Sequence, residues 1–184
     1  MIEFGCFEGV HTIGLSKFSA KVTAVDGRIE NVVKTIVRAA LYDCHPTVFK
    51  YDVEEVPVDG DLLGADVLHH VGVLYHLADP VRHLLEIGKY IRVGLMLDTH
   101  YATDGDARLS YEVNGRSYPY QSYRELGRRD VFSGLKTHSK WLPLPVIVGL
   151  LRETGFPQID VVETREERNG PRVLLFASRG VTGS

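Results

Sequence analysis

The order of patterns along the chain constrains its fold more than any single residue. Short apolar, β-branched segments alternate with amphipathic ones five times, and two strand-like segments then close the chain. Ile2–Phe4, Lys21–Val25, Thr47–Tyr51, Ala65–Val71 and Ile91–Leu97 read as strands. Ile91–Leu97 is almost continuously apolar, as a strand covered on both faces must be. Val10–Phe18 has helical spacing, and Ile29–Leu41 repeats Ile29, Val32, Val33, Ile36, Val37 and Ala40 as one apolar stripe. Pro80 is placed to start a further helix, and a helix over 144–154 ends at Gly155. Ile159–Glu163 and Arg172–Ala177 are joined through Asn169-Gly170, a pair suited to a tight hairpin. Parallel strands need helical crossovers, whereas a two-residue turn makes an antiparallel pair. The predicted fold is therefore α/β: a Rossmann-like, doubly wound, seven-stranded and mainly parallel sheet with an antiparallel C-terminal hairpin strand.

With 184 residues the expectation is one domain over 1–184, its alternation broken by a lid or insert at about 99–140 that is functional or contains short elements of its own. A net charge of −3 excludes nucleic-acid binding by bulk electrostatics. Two cysteines, Cys6 and Cys44, do not make a disulfide framework, and together with the lack of a signal-like start they suggest a cytoplasmic protein. No stretch approaches the roughly 18 apolar residues of a membrane span, so no membrane partner is expected. The chain begins almost directly on a strand, which suggests that N-terminal helices are lost or absent.

In such sheets ligands bind beyond the carboxyl ends of the strands. After the first strand comes Gly5-Cys6-Phe7-Glu8-Gly9, a turn that lets the backbone approach a ligand and opens on a helix with free N–H groups. Asp26 ends the second strand, 21 residues beyond Gly5, the spacing at which a carboxylate accepts from ribose hydroxyls, although Asp26-Gly27 is also a good turn pair. Asp52 follows the third strand and can accept from an exocyclic amine beside the Val53 N–H, or cap a helix. Together they describe an adenosine site.

The stretches IEFGCFEG, VTAVDGR, KYDVEE and ADVLHHVGVLYHLADP resemble the successive motifs of class I S-adenosylmethionine-dependent methyltransferases. The resemblance covers roughly residues 2–100, and GVLYHLADP is similar to small-molecule methyltransferases and to the tRNA wobble-uridine carboxymethyltransferase group. It implies S-adenosyl-L-methionine as cofactor. Glu3 would hold the loop or the ligand's amino group, with Gly5, Cys6, Phe7, Glu8 and Gly9 around the methionine moiety. Asp26 and Gly27 would meet the ribose, Asp52 and Val53 the adenine, and Gly72 and Val73 the sulfonium. Phe7 departs from the glycine usual there, and a bulky side chain at that point disfavours a nicotinamide cofactor, whose pyrophosphate needs more room.

His76 and Tyr75 lie just past the fourth strand, where a methyl acceptor approaches, and are the candidate catalytic residues; packing roles are the alternative. His100, Tyr101, Tyr118, Tyr120 and Tyr123 in the 99–140 stretch are the candidate acceptor contacts, or else pack the lid onto the sheet. Cys6 reads as a small buried residue, not a nucleophile. His69, His70 and His76 are close in sequence, but adjacent strand residues point to opposite faces, so no metal site is expected. The preferred function is methyl transfer to an O or N atom of a small molecule, in the manner of natural-product biosynthesis. A tRNA-modifying transferase and a non-catalytic binding protein of the same fold remain open; nucleic acid is the less favoured partner, and a homodimer is compatible with the sequence.

Overall fold

A computed structural model describes residues 1–55 and 58–180. The elements run β1 (Ile2–Phe4), α1 (Val10–Leu15), β2 (Thr23–Asp26), α2 (Ile29–Leu41), β3 (Thr47–Lys50), α3 (Gly60–Leu63), β4 (Ala65–Val71), α4 (Pro80–Ile87) and β5 (Ile91–His100). There follow β6 (Leu109–Val113), β7 (Arg116–Arg124), β8 (His138–Trp141), α5 (Leu144–Glu153), β9 (Gln158–Glu167) and β10 (Gly170–Ser178). Seven strands form one sheet in the order β3-β2-β1-β4-β5-β10-β9. All neighbours in it are parallel except β10, which runs antiparallel to both β5 and β9. The expected architecture is the observed one. The strand order reverses between β1 and β4, and it is there that their carboxyl ends part to leave a crevice.

Local chemistry accounts for the element ends. Asp79 accepts from the Arg82 N–H at 3.2 Å and Pro80 fills the first helical position, so α4 starts where its orphan donors are satisfied. Gly155 takes φ 95° after α5, a left-handed exit open to glycine at little cost. Gly170 closes the β9–β10 hairpin at φ 129°. One face of the sheet carries the core, where Phe4, Leu68, Leu95, Leu97 and Leu175 cluster with Leu84 of α4 and Ile147 and Leu151 of α5.

One expectation about these elements needs correction, and another becomes specific. The helix over Ile29–Leu41 exists, but it buries Asn31, Val32, Thr35 and Ala39, while Ile29, Val33, Ile36 and Val37 of the apolar stripe stay exposed. The inward face is taken by groups that bind the glycine turn: the Thr35 hydroxyl donates to the Phe7 carbonyl at 3.1 Å, and Asn31 donates to Asp26 at 3.1 Å. Hydrogen-bond demand at the turn outweighs apolar area in choosing that face. The 99–140 stretch, in turn, has short elements of its own. It extends β5 to His100 and then builds a three-stranded antiparallel sheet, β6-β7-β8. Asn114 (φ 52°) and Gly115 (φ 76°) make its first turn, with positive φ at both central positions. Among the described residues no helix is long and apolar enough to cross a membrane.

Candidate active site

The turn after β1 is built on three left-handed residues, Gly5 (φ 69°), Phe7 (φ 47°) and Gly9 (φ 79°). A Cβ on Gly5 would stand 2.5 Å from a methyl of Val73, so only glycine lets the ends of β1 and β4 approach this closely. The Gly5 and Cys6 N–H groups both donate to the Val25 carbonyl, at 2.8 and 3.1 Å. Phe7 occupies a conformation costing an ordinary residue about 1–2 kcal/mol. Its N–H donates to Asp26 Oδ2 at 3.0 Å, and its ring packs on Phe132 with centroids 5.6 Å apart.

Asp26 is 7% exposed. Its Oδ1 accepts from the Arg28 N–H at 2.9 Å and from Asn31 Nδ2 at 3.1 Å. With the Phe7 bond that uses three of about four carboxylate acceptor sites, leaving capacity for one donor. Asp26 thus holds the turn in shape and stands on the wall of the cavity that the turn encloses.

That cavity measures about 560 Å³ and runs along the strand ends. Of the expected cofactor contacts, Gly5, Cys6, Phe7, Glu8, Asp26, Gly27, Asp52, Val53, Gly72 and Val73 line it. Glu3 and Gly9 do not. Glu3 is 1% exposed and lies beneath the wall, where Oε2 accepts from the Thr12 hydroxyl at 2.5 Å and ties α1 to β1. Burial raises its carboxyl to about 7, against the lowering effect of that hydrogen bond, with Asp26 adding to the rise. Gly9 faces Thr35 instead, whose methyl would be 2.9 Å from a Cβ there. Asp52 caps no helix: its Oδ1 accepts from the Glu54 N–H at 3.1 Å in a local turn, and Asp59 is the N-cap of α3. Burial drives the Cys6 thiol up to about 12, despite the Thr35 hydroxyl beside it, so Cys6 is no nucleophile.

His76 and Tyr75 both reach the cavity. His76 Nδ1 lies 2.9 Å from Glu125 Oε1. Glu125 is 4% exposed, and its carboxylate also accepts from the Ser139 hydroxyl at 3.0 Å, the Gly134 N–H at 2.9 Å and the Ser133 hydroxyl. Burial pushes this carboxyl up, but hydrogen bonds from His76 and Ser133 and the charge of His76 outweigh it and hold the group at about 2. Glu125 is therefore an anion that can only accept, so His76 Nδ1 must donate, and in the neutral imidazole that fixes the free lone pair on Nε2. Tyr75 has its phenol raised by burial and sets its ring edge-on to His100 at 4.8 Å. It shapes the wall and is no base.

The expected acceptor contacts lie outside this cavity. None of His100, Tyr101, Tyr118, Tyr120 or Tyr123 lines the cavity. His100 is 3% exposed and stacks on Trp141 with centroids 4.8 Å apart, and Tyr123 stacks on Trp141 at 4.7 Å. Tyr101, Tyr118 and Tyr120 pack against the core. The segment that does reach the cavity is residues 131–135. Arg28 holds it in place by donating to the carbonyls of Gly127, Arg128, Asp130 and Ser133 at 2.8–3.2 Å. Nothing in the sequence marks Arg28, Glu125 or residues 131–135 as site residues, because the contacts that bring them to the cavity span 102 positions from Arg28 to Asp130 and 49 from His76 to Glu125. Asn169 and Arg172 of the terminal hairpin complete the wall.

Solved structures share this fold. The N-terminal domain of EvdMO1, crystallised in the presence of S-adenosylhomocysteine and D-fucose, superposes with a TM-score of 0.81 over 96% of this chain and 74% of its own, at 24% identity. The fold is that of the class I S-adenosylmethionine-dependent methyltransferases. Magnesium protoporphyrin IX methyltransferase (ChlM) from Synechocystis PCC 6803 with bound S-adenosylhomocysteine matches with a TM-score of 0.64 at 16% identity, over 97% of this chain and 73% of that one. A methyltransferase from Clostridium acetobutylicum ATCC 824 gives 0.63 at 11% identity, over 97% and 83%. The sequence matches no protein-family model and no curated protein.

Proposed function

We propose that this protein binds S-adenosylmethionine in the cavity at the strand ends and transfers its methyl group to an O or N atom of a small molecule. The cofactor half rests on the position of Asp26, Asp52 and the glycine turn around one cavity, and on the S-adenosylhomocysteine present in structures of the same fold. The catalytic half rests on one observation, the His76–Glu125 pair at the wall.

The sulfonium brings an already activated methyl, so the protein's work is to align the acceptor and take its proton. Held along the strand ends by the glycine turn, Asp26 and Asp52, the cofactor would supply that methyl, and the remaining task of the chain's own residues is to receive the acceptor's proton. The acceptor's proton passes to His76 Nε2, and the imidazolium so formed is held by the Glu125 carboxylate. Such a base matters most for a hydroxyl, which is a weak nucleophile while protonated. D-Fucose in the EvdMO1 crystals supports a hydroxyl-bearing acceptor here, and Asn169 and Arg172 offer polar groups for one.

Calorimetry with S-adenosylmethionine and S-adenosylhomocysteine tests the first half, repeated on Asp26→Ala. Micromolar binding that the variant loses is the expected result, and silence toward both ligands overturns the reading. Methyl transfer to small hydroxylated acceptors, absent in His76→Ala at unchanged cofactor affinity, tests the second.

A further inference from the structure

Beneath the glycine turn three ligand-type side chains meet: Glu3 of β1, His11 of α1 and His69 of β4. Glu3 and His69 are register partners on adjacent parallel strands, so both leave the sheet on the same face, and α1 brings His11 over them. Glu3 Oε1 stands 3.9 Å from His69 Nδ1 and 4.0 Å from His11 Nδ1, and the three atoms lie within 4.8 Å of one another. These separations exceed hydrogen-bond reach. They approach the roughly 3.5 Å between ligand atoms that share one ion at about 2.1 Å.

Two further facts point to something in the gap. His69 is 8% exposed, and its Nδ1 has no hydrogen-bond partner, a rare state for a buried polar nitrogen. Thr12 occupies only Oε2 of Glu3, leaving Oε1 turned to the two imidazoles, and among the described residues no lysine or arginine pairs with this buried carboxylate. Three ligand-type groups converge with no hydrogen bond between them.

We propose that Glu3, His11 and His69 bind a divalent transition-metal ion of the zinc or ferrous class. Two imidazoles and one carboxylate are the donor set such ions favour, and they leave coordination positions for water. His11 lines the cofactor cavity and is 56% exposed at its side chain, which gives the ion a route in. Bound there, the ion pins α1 to β1 and β4 behind the turn that shapes the cavity. His70, on the opposite face of β4, takes no part: its Nε2 bonds His83 at 2.8 Å. The expectation of no metal weighs His69 only against its neighbours in sequence, whereas these ligands come from three separate elements.

The test titrates cobalt into the chelator-stripped full chain and follows its visible ligand-field absorption, with zinc binding measured in parallel by calorimetry. One saturable equivalent is expected. His11→Ala, a partly exposed position that does not threaten the fold, should weaken binding by more than about 10-fold, the least that losing even an outer partner costs. His45→Ala, at a side chain 87% exposed and far in sequence from the cluster, should leave it unchanged. Absence of saturable binding, or equal affinity in His11→Ala, overturns the assignment. Neither result depends on what the cavity binds.

Discussion

His76 and Glu125 are 49 residues apart in the chain and 2.9 Å apart in space. Four donors surround the carboxylate, and they serve to present one imidazole nitrogen to the cavity with a fixed tautomer. Glu125→Gln keeps the shape but no longer demands a proton from Nδ1. We expect kcat to fall about 100-fold, in the range one positioned acid–base group contributes, with cofactor affinity unchanged. Steady-state kinetics read this directly; a rise in KM at constant kcat would assign Glu125 to binding instead.

Asp26 joins the turn to the cavity. Asp26→Ala strands the part-buried Phe7 and the buried Arg28 N–H groups, each worth up to about 1–3 kcal/mol when unpaired, and removes the proposed ribose acceptor. Thermal unfolding should show a clear loss of stability, and calorimetry a loss of S-adenosylhomocysteine binding. Asp26→Asn, which keeps one acceptor oxygen, should fall between Asp26→Ala and the parent in both.

Phe7 trades backbone strain for an aromatic contact. Phe7→Gly releases about 1 kcal/mol of left-handed strain and forfeits a ring pair worth about 0.5–1.5 kcal/mol, so its melting temperature should stay near the parent's. Phe7→Ala keeps the strain and loses the pair, and should be the less stable of the two. Equal stability of the two variants would show that the turn relaxes away from the positive φ.

Acid stability should report the buried histidines. Burial lowers the His83 imidazole from 6.5 to about 4, against the raising effect of its bond to the Val53 carbonyl, and its partner His70 is lowered as well. The folded value lies below the unfolded one, so as pH falls the unfolded chain takes up the proton first. The contribution is complete above about pH 6.5 and is lost progressively toward pH 4, to a total of about 3 kcal/mol from His83. Urea unfolding across that window should slope accordingly, and His83→Gln should flatten it. An unchanged slope would place the acid sensitivity elsewhere.

The two cysteines should differ in reactivity. Cys44 is partly exposed, whereas Cys6 is buried with its thiol pushed up to about 12. A thiol reagent at neutral pH should modify one cysteine quickly and the second only on unfolding, and peptide mapping should find the label on Cys44.

The terminal hairpin and the middle insert carry the same legible signal, Asn-Gly followed by strand-forming residues, at 169–170 and at 114–115. The first predicts the β9–β10 hairpin. The second is as readable and marks the β6–β7 turn, inside a stretch whose length suggests short elements without saying which. The α2 stripe is the opposite case. Its period is correct, but no sequence pattern says that Thr35 and Asn31 are needed by a turn about two dozen residues away and will claim the inward face.

The sequence by itself determined the alternation of strands and helices and the residues at the strand ends. Hydrophobic period, turn chemistry and capping act between neighbours in the chain, so local pattern alone places Gly5, Asp26, Asp52 and Gly72 where the strands stop. Tertiary structure alone decided which residues share the cavity with them. Glu125 meets His76, and Arg28 gathers four carbonyls of the segment that closes the wall, through contacts set by how β7, β8 and the loop between them fold back over the sheet. It also decided that the tyrosines of the insert face inward around Trp141 and the core instead of lining the site. Which of two apolar or polar faces is buried depends on what packs against it, and that partner lies at a sequence distance where local pattern carries no information.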